Sequence, residues 1–199
     1  MKKRNPKKIL LVSGLIVLLL FGIFYYIYSP PSCLYNRGLS SSAIANVNKI
    51  LNNAEIWHLE GCDEFFLYAL NPTPASFTEE DTGKKIPEDQ VFHDYPILGK
   101  LQLQGEDKET VLNQFYSSIG SSPFGALCFE PRHGIHALYG NLYIDLVICF
   151  ECIRVEIYTN LGSSQHFNIF GNSEVIQSWN KLLTDAKIPI SLPMNEKKK

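Results

Sequence analysis

Beyond its first eight residues the chain has little positive charge. Of 18 Lys and Arg, five (Lys2, Lys3, Arg4, Lys7 and Lys8) precede residue 9, which leaves 13 against 20 Asp and Glu, a balance of −7. A domain that acidic, with no basic stripe, is poorly suited to neutralising phosphates, so no nucleic-acid partner is expected. The closing Lys197-Lys198-Lys199 reads as a solvated end. Cysteine is sparse as well. Five in 199 residues permit disulfides but do not make a disulfide-dense scaffold, and the odd count leaves at least one thiol unpaired within the chain. Cys33 is the obvious spare. Also missing are an internal repeat and any complete catalytic constellation, which points away from an enzyme.

Charge is wholly absent from residues 9–28, ILLVSGLIVLLLFGIFYYIY. As a helix those twenty positions span roughly 30 Å, the thickness of a bilayer's hydrocarbon core. The basic cluster ahead of it, against Arg37 alone close behind, places residues 1–8 in the cytoplasm as a stub. Tyr25, Tyr26 and Tyr28 fit the outer interface. A cleaved signal peptide would have a shorter apolar run and a small-residue cleavage site. A lipidated Cys33 would need an aliphatic residue where Pro30 stands. The expectation is therefore a single-pass signal-anchor with its domain outside, periplasmic or at the cell surface.

Residues 29–40, with Pro30-Pro31, read as a linker, residues 41–190 as an extracytoplasmic α+β domain, and 191–199 as a polar tail. Within the domain, Ile44, Val47 and Leu51 mark a first helix over 41–53. Glu55–Leu59 and Phe65–Leu70 read as strands, and residues 75–94 as an exposed polar loop. A strand follows Pro96, bulged near Gly99. Asp107 is the expected N-cap of a helix that runs to about Ile119. Ala126–Glu130 reads as a short strand.

Ile135–Tyr139 and Leu142–Cys149 then flank Gly140-Asn141, a two-residue hairpin turn that would pair His136 with Asp145. Alternation puts Ile135, Ala137, Ile144, Leu146 and Ile148 on the core face, with His136, Asp145 and Cys149 opposite. The apolar phase shifts between Phe150 and Ile153, so the chain must turn or bulge inside Cys149-Phe150-Glu151-Cys152. A last amphipathic helix covers Ser173–Lys187, capped by Asn172 or Ser173 and stopped before Pro189. The predicted fold is α+β: an N-terminal transmembrane helix, then a mostly antiparallel sheet with about three packed helices.

The candidate chemistry lies mainly between Cys128 and Cys152. A zinc site would need four ligands, and Cys128, His133, Cys149 and Cys152 could supply a Cys₃His set, although a second C-x-x-C pair is missing. His93 is a further candidate ligand. A thioredoxin-like centre would need its first cysteine at a helix N-terminus, whereas strand pattern flanks this pair on both sides. A structural disulfide, Cys149 to Cys152 or one of them to Cys128, competes with both readings, as do reduced core cysteines. His136 facing Asp145 suggests part of a triad. Cys149, four residues further along the strand, is roughly 13 Å from Asp145 and out of reach. Arg132 could read an anion or, in the plainer reading, pin the hairpin through Glu130 or Glu151.

The runs FHDYPILGK, CFEPRHGI and DLVICFEC, followed by an amphipathic helix, resemble a family of small exported or membrane-anchored bacterial proteins with CFxPRHGI and ICFEC motifs. The resemblance covers about residues 55–190 and implies a bacterial envelope origin. It assigns no activity, substrate or cofactor. It directs attention to Phe92-His93, Cys128, Pro131–Gly134 and Cys149–Cys152. The expected function is a non-catalytic envelope module with structural cysteines that binds another envelope protein or a small ligand. The alternative is a zinc-binding or thiol-dependent protein built on the Cys/His cluster.

Overall fold

The computed structural model describes residue 34 and residues 37–120, 128–160 and 165–191. The expected membrane span at 9–28, its stub, Cys33 and all but the first residue of the polar tail lie outside the described residues. Among the described residues no helix is long and apolar enough to cross a membrane.

Among the described residues five α-helices and seven strands follow in the order α1 (Ser41–Ile50), α2 (Asn53–Gly61), β1 (Glu64–Leu70), α3 (Ala75–Thr82), β2 (Val91–Phe92), β3 (Tyr95–Gln102), α4 (Gly105–Ser118), β4 (His133–Tyr139), β5 (Leu142–Cys149), β6 (Arg154–Thr159), β7 (Gln165–Asn168) and α5 (Ser173–Asp185). The strands form one sheet in the order β2-β3-β1-β4-β5-β6-β7, every pairing antiparallel. The sheet curls as a half-barrel. The α+β class with an antiparallel sheet is as expected. The helix count is five among the described residues rather than about three.

Two of the differences have local causes. Residues 55–59 alternate like a strand, yet they lie in α2. There Asn52 caps the Glu55 amide while the Glu55 carboxylate returns to the Asn52 amide, a capping box that starts a helix with Ile56 and Leu59 fully buried. The polar stretch 75–94 is not a plain loop. It holds α3, stopped by Gly83 in the left-handed region, then a 3₁₀ turn at Glu88–Gln90 and β2. Two smaller corrections follow, and one expected irregularity is found. α4 starts at Gly105, so Asp107 lies in its first turn rather than at the cap. Residues 128–130 are not strand, and 121–127 lie outside the described residues. The bulge near Gly99 is present: Ala69 pairs with Gly99 but Leu70 with Ile97, which leaves Leu98 as the extra residue.

Alternation divides the sheet into two faces. Phe65, Leu67, Ile135, Ala137, Ile144, Leu146, Ile148, Val155 and Ile157 enter the main core with Val111, Leu112, Phe115 and Trp179 from α4 and α5. Leu34 is also fully buried there, and Arg37 bridges Glu60 and Glu109, so packing begins ahead of α1. The opposite face carries a smaller cluster of Tyr68, Leu70, Phe92 and Val147, flanked by Phe66, Tyr95, Ile97, Phe129 and Tyr158. It holds most of the polar groups of interest.

Candidate functional site

The hairpin β4–β5 has the expected register, with Tyr139 opposite Leu142, Ala137 opposite Ile144 and His136 opposite Asp145. That register places an Asp in the middle of the sheet on the second face, where it is buried. A buried carboxylate needs donors. His136 Nδ1 lies 2.5 Å from Asp145 Oδ1, and His93 Nε2 lies 2.7 Å from Oδ2. An ionised carboxylate only accepts, so both imidazoles donate. Burial alone would raise the Asp145 pKa. The hydrogen bonds from His136 and His93, with their charges, outweigh it and hold the carboxyl below its ordinary value.

His93 reaches this position through an uncommon turn. It and Asp94 are the two central residues between the paired Phe92 and Tyr95, and both have positive φ, 49° and 72°. A two-residue turn with both centres in the left-handed region matches the right-handed twist of a hairpin, at a steric cost to non-glycine residues. Bonds on each side hold it. Asp94 accepts from the Ser76 amide and hydroxyl at the start of α3, and His93 hooks onto Asp145. Beneath the turn, a Cβ on Gly134 would stand 2.7 Å from the Phe92 ring. Only glycine there lets Phe92 lie on the sheet and stack on Tyr68 at 4.5 Å. The Phe92-His93 and His133-Gly134 motifs therefore meet through Gly134 and Phe92.

Next to His93 stands Tyr158, its ring stacked at 3.9 Å and 11°. Arg154, Glu156 and Tyr158 occupy one face of β6 at every second position. Arg154 Nη2 donates to Glu156 Oε1 and Tyr158 Oη to Glu156 Oε2, at 2.7 and 2.8 Å. Burial, then the Glu156 carboxylate, raises the Tyr158 pKa, while Tyr68 and Tyr95 are pushed up to about 12, chiefly by burial. With Gln165 and His166 of β7, this ladder lines an open cleft of about 200 Å³. The β6 ladder and the His93–Asp145 pairing were not found from sequence. Polar residues alternating with Val155 and Ile157 were the available signal for the first; nothing local signals the second.

The proposed metal quartet does not converge. Cys149 and Cys152 form a disulfide, and Cys128 Sγ lies 4.0 Å from Cys152 Sγ. His133 falls on the helix face, because it is in phase with Ile135 and Ala137. There its Nε2 is 2.9 Å from Asn180 Oδ1, and its ring packs edge-on against Phe150 and Trp179 at 5.7 Å. Burial, with a smaller push from Arg132 and opposed by Asn180, lowers its pKa to about 4, which keeps it neutral. Among the described residues, no group of three or more His, Cys, Asp or Glu is placed to hold a metal. Arg132 takes the plainer of its two roles: Nη1 meets Glu151 at 2.5 Å and Nη2 lies 3.6 Å from Glu130. His166 is exposed on β7, and His58 packs edge-on to Tyr139. No family model, no curated protein and no solved structure matches the chain.

Proposed function

We propose that the chain is a non-catalytic binding module, held to a bacterial envelope membrane by the span 9–28 with its α+β domain outside. Its ligand, a small polar molecule or a polar side chain of another envelope protein, sits in the cleft on β6 and β7. One observation carries this reading. Arg154, Glu156 and Tyr158 form a hydrogen-bonded ladder that faces an open cleft, braced by a His93 that Asp145 fixes in place. Such preorganised polar groups beside aromatic rings suit recognition. Asp145 orients two imidazoles, but the sulfur on their face, Cys149, lies four residues further along β5, roughly 13 Å from Asp145 and out of reach. The zinc reading is left aside because two of its four ligands are joined and His133 faces the other way.

The test is a titration of the purified, isotope-labelled chain with free amino acids, short peptides and monosaccharides, followed by amide chemical shifts. A ligand that saturably moves β6 and β7 resonances supports the proposal. Asp145→Ala, which removes the acceptor that holds His93, should then weaken binding about tenfold, equivalent to about 1.4 kcal/mol. Absence of binding across the set, or shifts confined to another surface, would count against it. For the anchor, the chain should stay in the membrane pellet through alkaline carbonate washing, and release into the supernatant contradicts that half.

A further inference from the structure

Three sulfurs meet at the turn that joins β5 to β6. Cys149 and Cys152 are bonded, and the thiol of Cys128, exposed on the approach to β4, lies 4.0 Å from Cys152 Sγ. That is close to van der Waals contact, whereas a structural disulfide ordinarily has no thiol beside it. Two backbone amides converge on the same sulfurs: Cys152 N–H donates to Cys149 Sγ at 3.0 Å, and Glu130 N–H to Cys152 Sγ at 3.3 Å. Between Cys152 and β6, Ile153 has φ 52°, a region a β-branched residue seldom occupies. The 149–152 bond therefore closes a turn with local backbone strain beside it.

We propose that Cys128, Cys149 and Cys152 form a thiol–disulfide exchange centre in which Cys128 attacks Cys152. The Cys128 thiol gives its proton to solvent, and the thiolate forms a bond to Cys152 Sγ. The Cys149–Cys152 bond breaks, and its electron pair leaves on Cys149 Sγ, which then takes a proton. Nothing is oxidised or reduced overall, so no external oxidant is required. The Cys152 N–H already directed at Cys149 Sγ stabilises the departing thiolate, as a hydrogen bond to a charged form does. Exchange moves the covalent tie. In one state it closes the β5–β6 turn on itself; in the other it fastens that turn to the chain entering β4. The Arg132–Glu151 ion pair already bridges the same two segments, so both states are compatible with the neighbouring contacts. This goes beyond the binding reading and stands or falls separately from it.

The test uses the full-length chain purified under oxidising conditions. After incubation at pH 8 without reductant and quenching in acid, the thiols are alkylated in denaturant and disulfide-linked peptides are mapped by mass spectrometry. The expected map contains both 149–152 and 128–152 linkages, with alkylation on both Cys128 and Cys149 and an approach to that mixture that quickens as pH rises. A single 149–152 linkage with alkyl groups on Cys128 and none on Cys149 overturns the proposal. In Cys149→Ser, Cys128 and Cys152 should oxidise to each other, lowering the mass by two hydrogens. Two persistent free thiols in a folded Cys149→Ser chain also overturn it. If that variant does not fold, the unsubstituted chain's linkage map decides.

Discussion

The two faces of the one sheet contrast most clearly along β5. Ile144, Leu146 and Ile148 point into a core sealed by helices, while Asp145, Val147 and Cys149 point to a face with carboxylates, imidazoles, tyrosines and sulfur. The first face is held by area removed from water, which is non-directional and tolerant. The second adds to its small apolar cluster a few directed contacts of narrow geometry, gathered on Asp145 and Glu156. Even the histidines follow this division. His133, on the core face, is a neutral ring between Phe150 and Trp179, whereas His93 and His136 share one buried carboxylate.

The largest expected effect lies on the core face. Trp179 is fully buried, and its indole N–H donates to Gln114 of α4. Trp179→Ala should cost about 3–5 kcal/mol in urea unfolding, while a loss near 1 kcal/mol would mean the helix layer matters less than proposed. His133 supplies the next. Its folded-state pKa of about 4 lies below its ordinary 6.5, so its contribution is complete above pH 6.5 and is lost as pH falls toward 4. The full difference is about 3 kcal/mol. His133→Gln, which can still reach Asn180, should flatten that part of the stability–pH curve, and an unchanged slope between pH 6.5 and 4 would refute the assignment. The smallest effect tests the second face. Gly134→Ala places a methyl against the Phe92 ring and should cost about 1–3 kcal/mol. It should also shift the His93 imidazole signals while those of His133 stay in place; movement of both would erase the distinction between the faces.

How much of this was legible in the sequence follows from which interactions are local. The β4–β5 register was readable because Gly140-Asn141 sets the turn and alternation sets the phase. The turn at Phe150–Ile153 was readable because a phase slip must be absorbed somewhere. Helix α2 is hidden in the sequence because Glu55-Ile56-Trp57-His58-Leu59 alternates like a strand, and the capping box that decides the matter is a single side-chain exchange with Asn52. His93–Asp145 was not readable at all. The two residues are 52 positions apart, and they meet only because Gly134 leaves room for Phe92. The failed metal quartet is instructive in the other direction. The alternation that faced His136 and Cys149 away from the core, carried back along β4, already put His133 on the opposite face from Cys149.

The turn at His93-Asp94 has a consequence for motion. Its two residues pull in opposite directions along the chain, Asp94 toward the first turn of α3 and His93 toward the centre of the sheet. β2 itself pairs with the sheet through only two residues of β3. Segment 75–94 is therefore fastened at its far end mainly by one tight turn, while β4, β5 and β6 are bonded along their length on both sides. Amide hydrogens in 75–94 should exchange together and early, as one opening unit, and those of the central meander last.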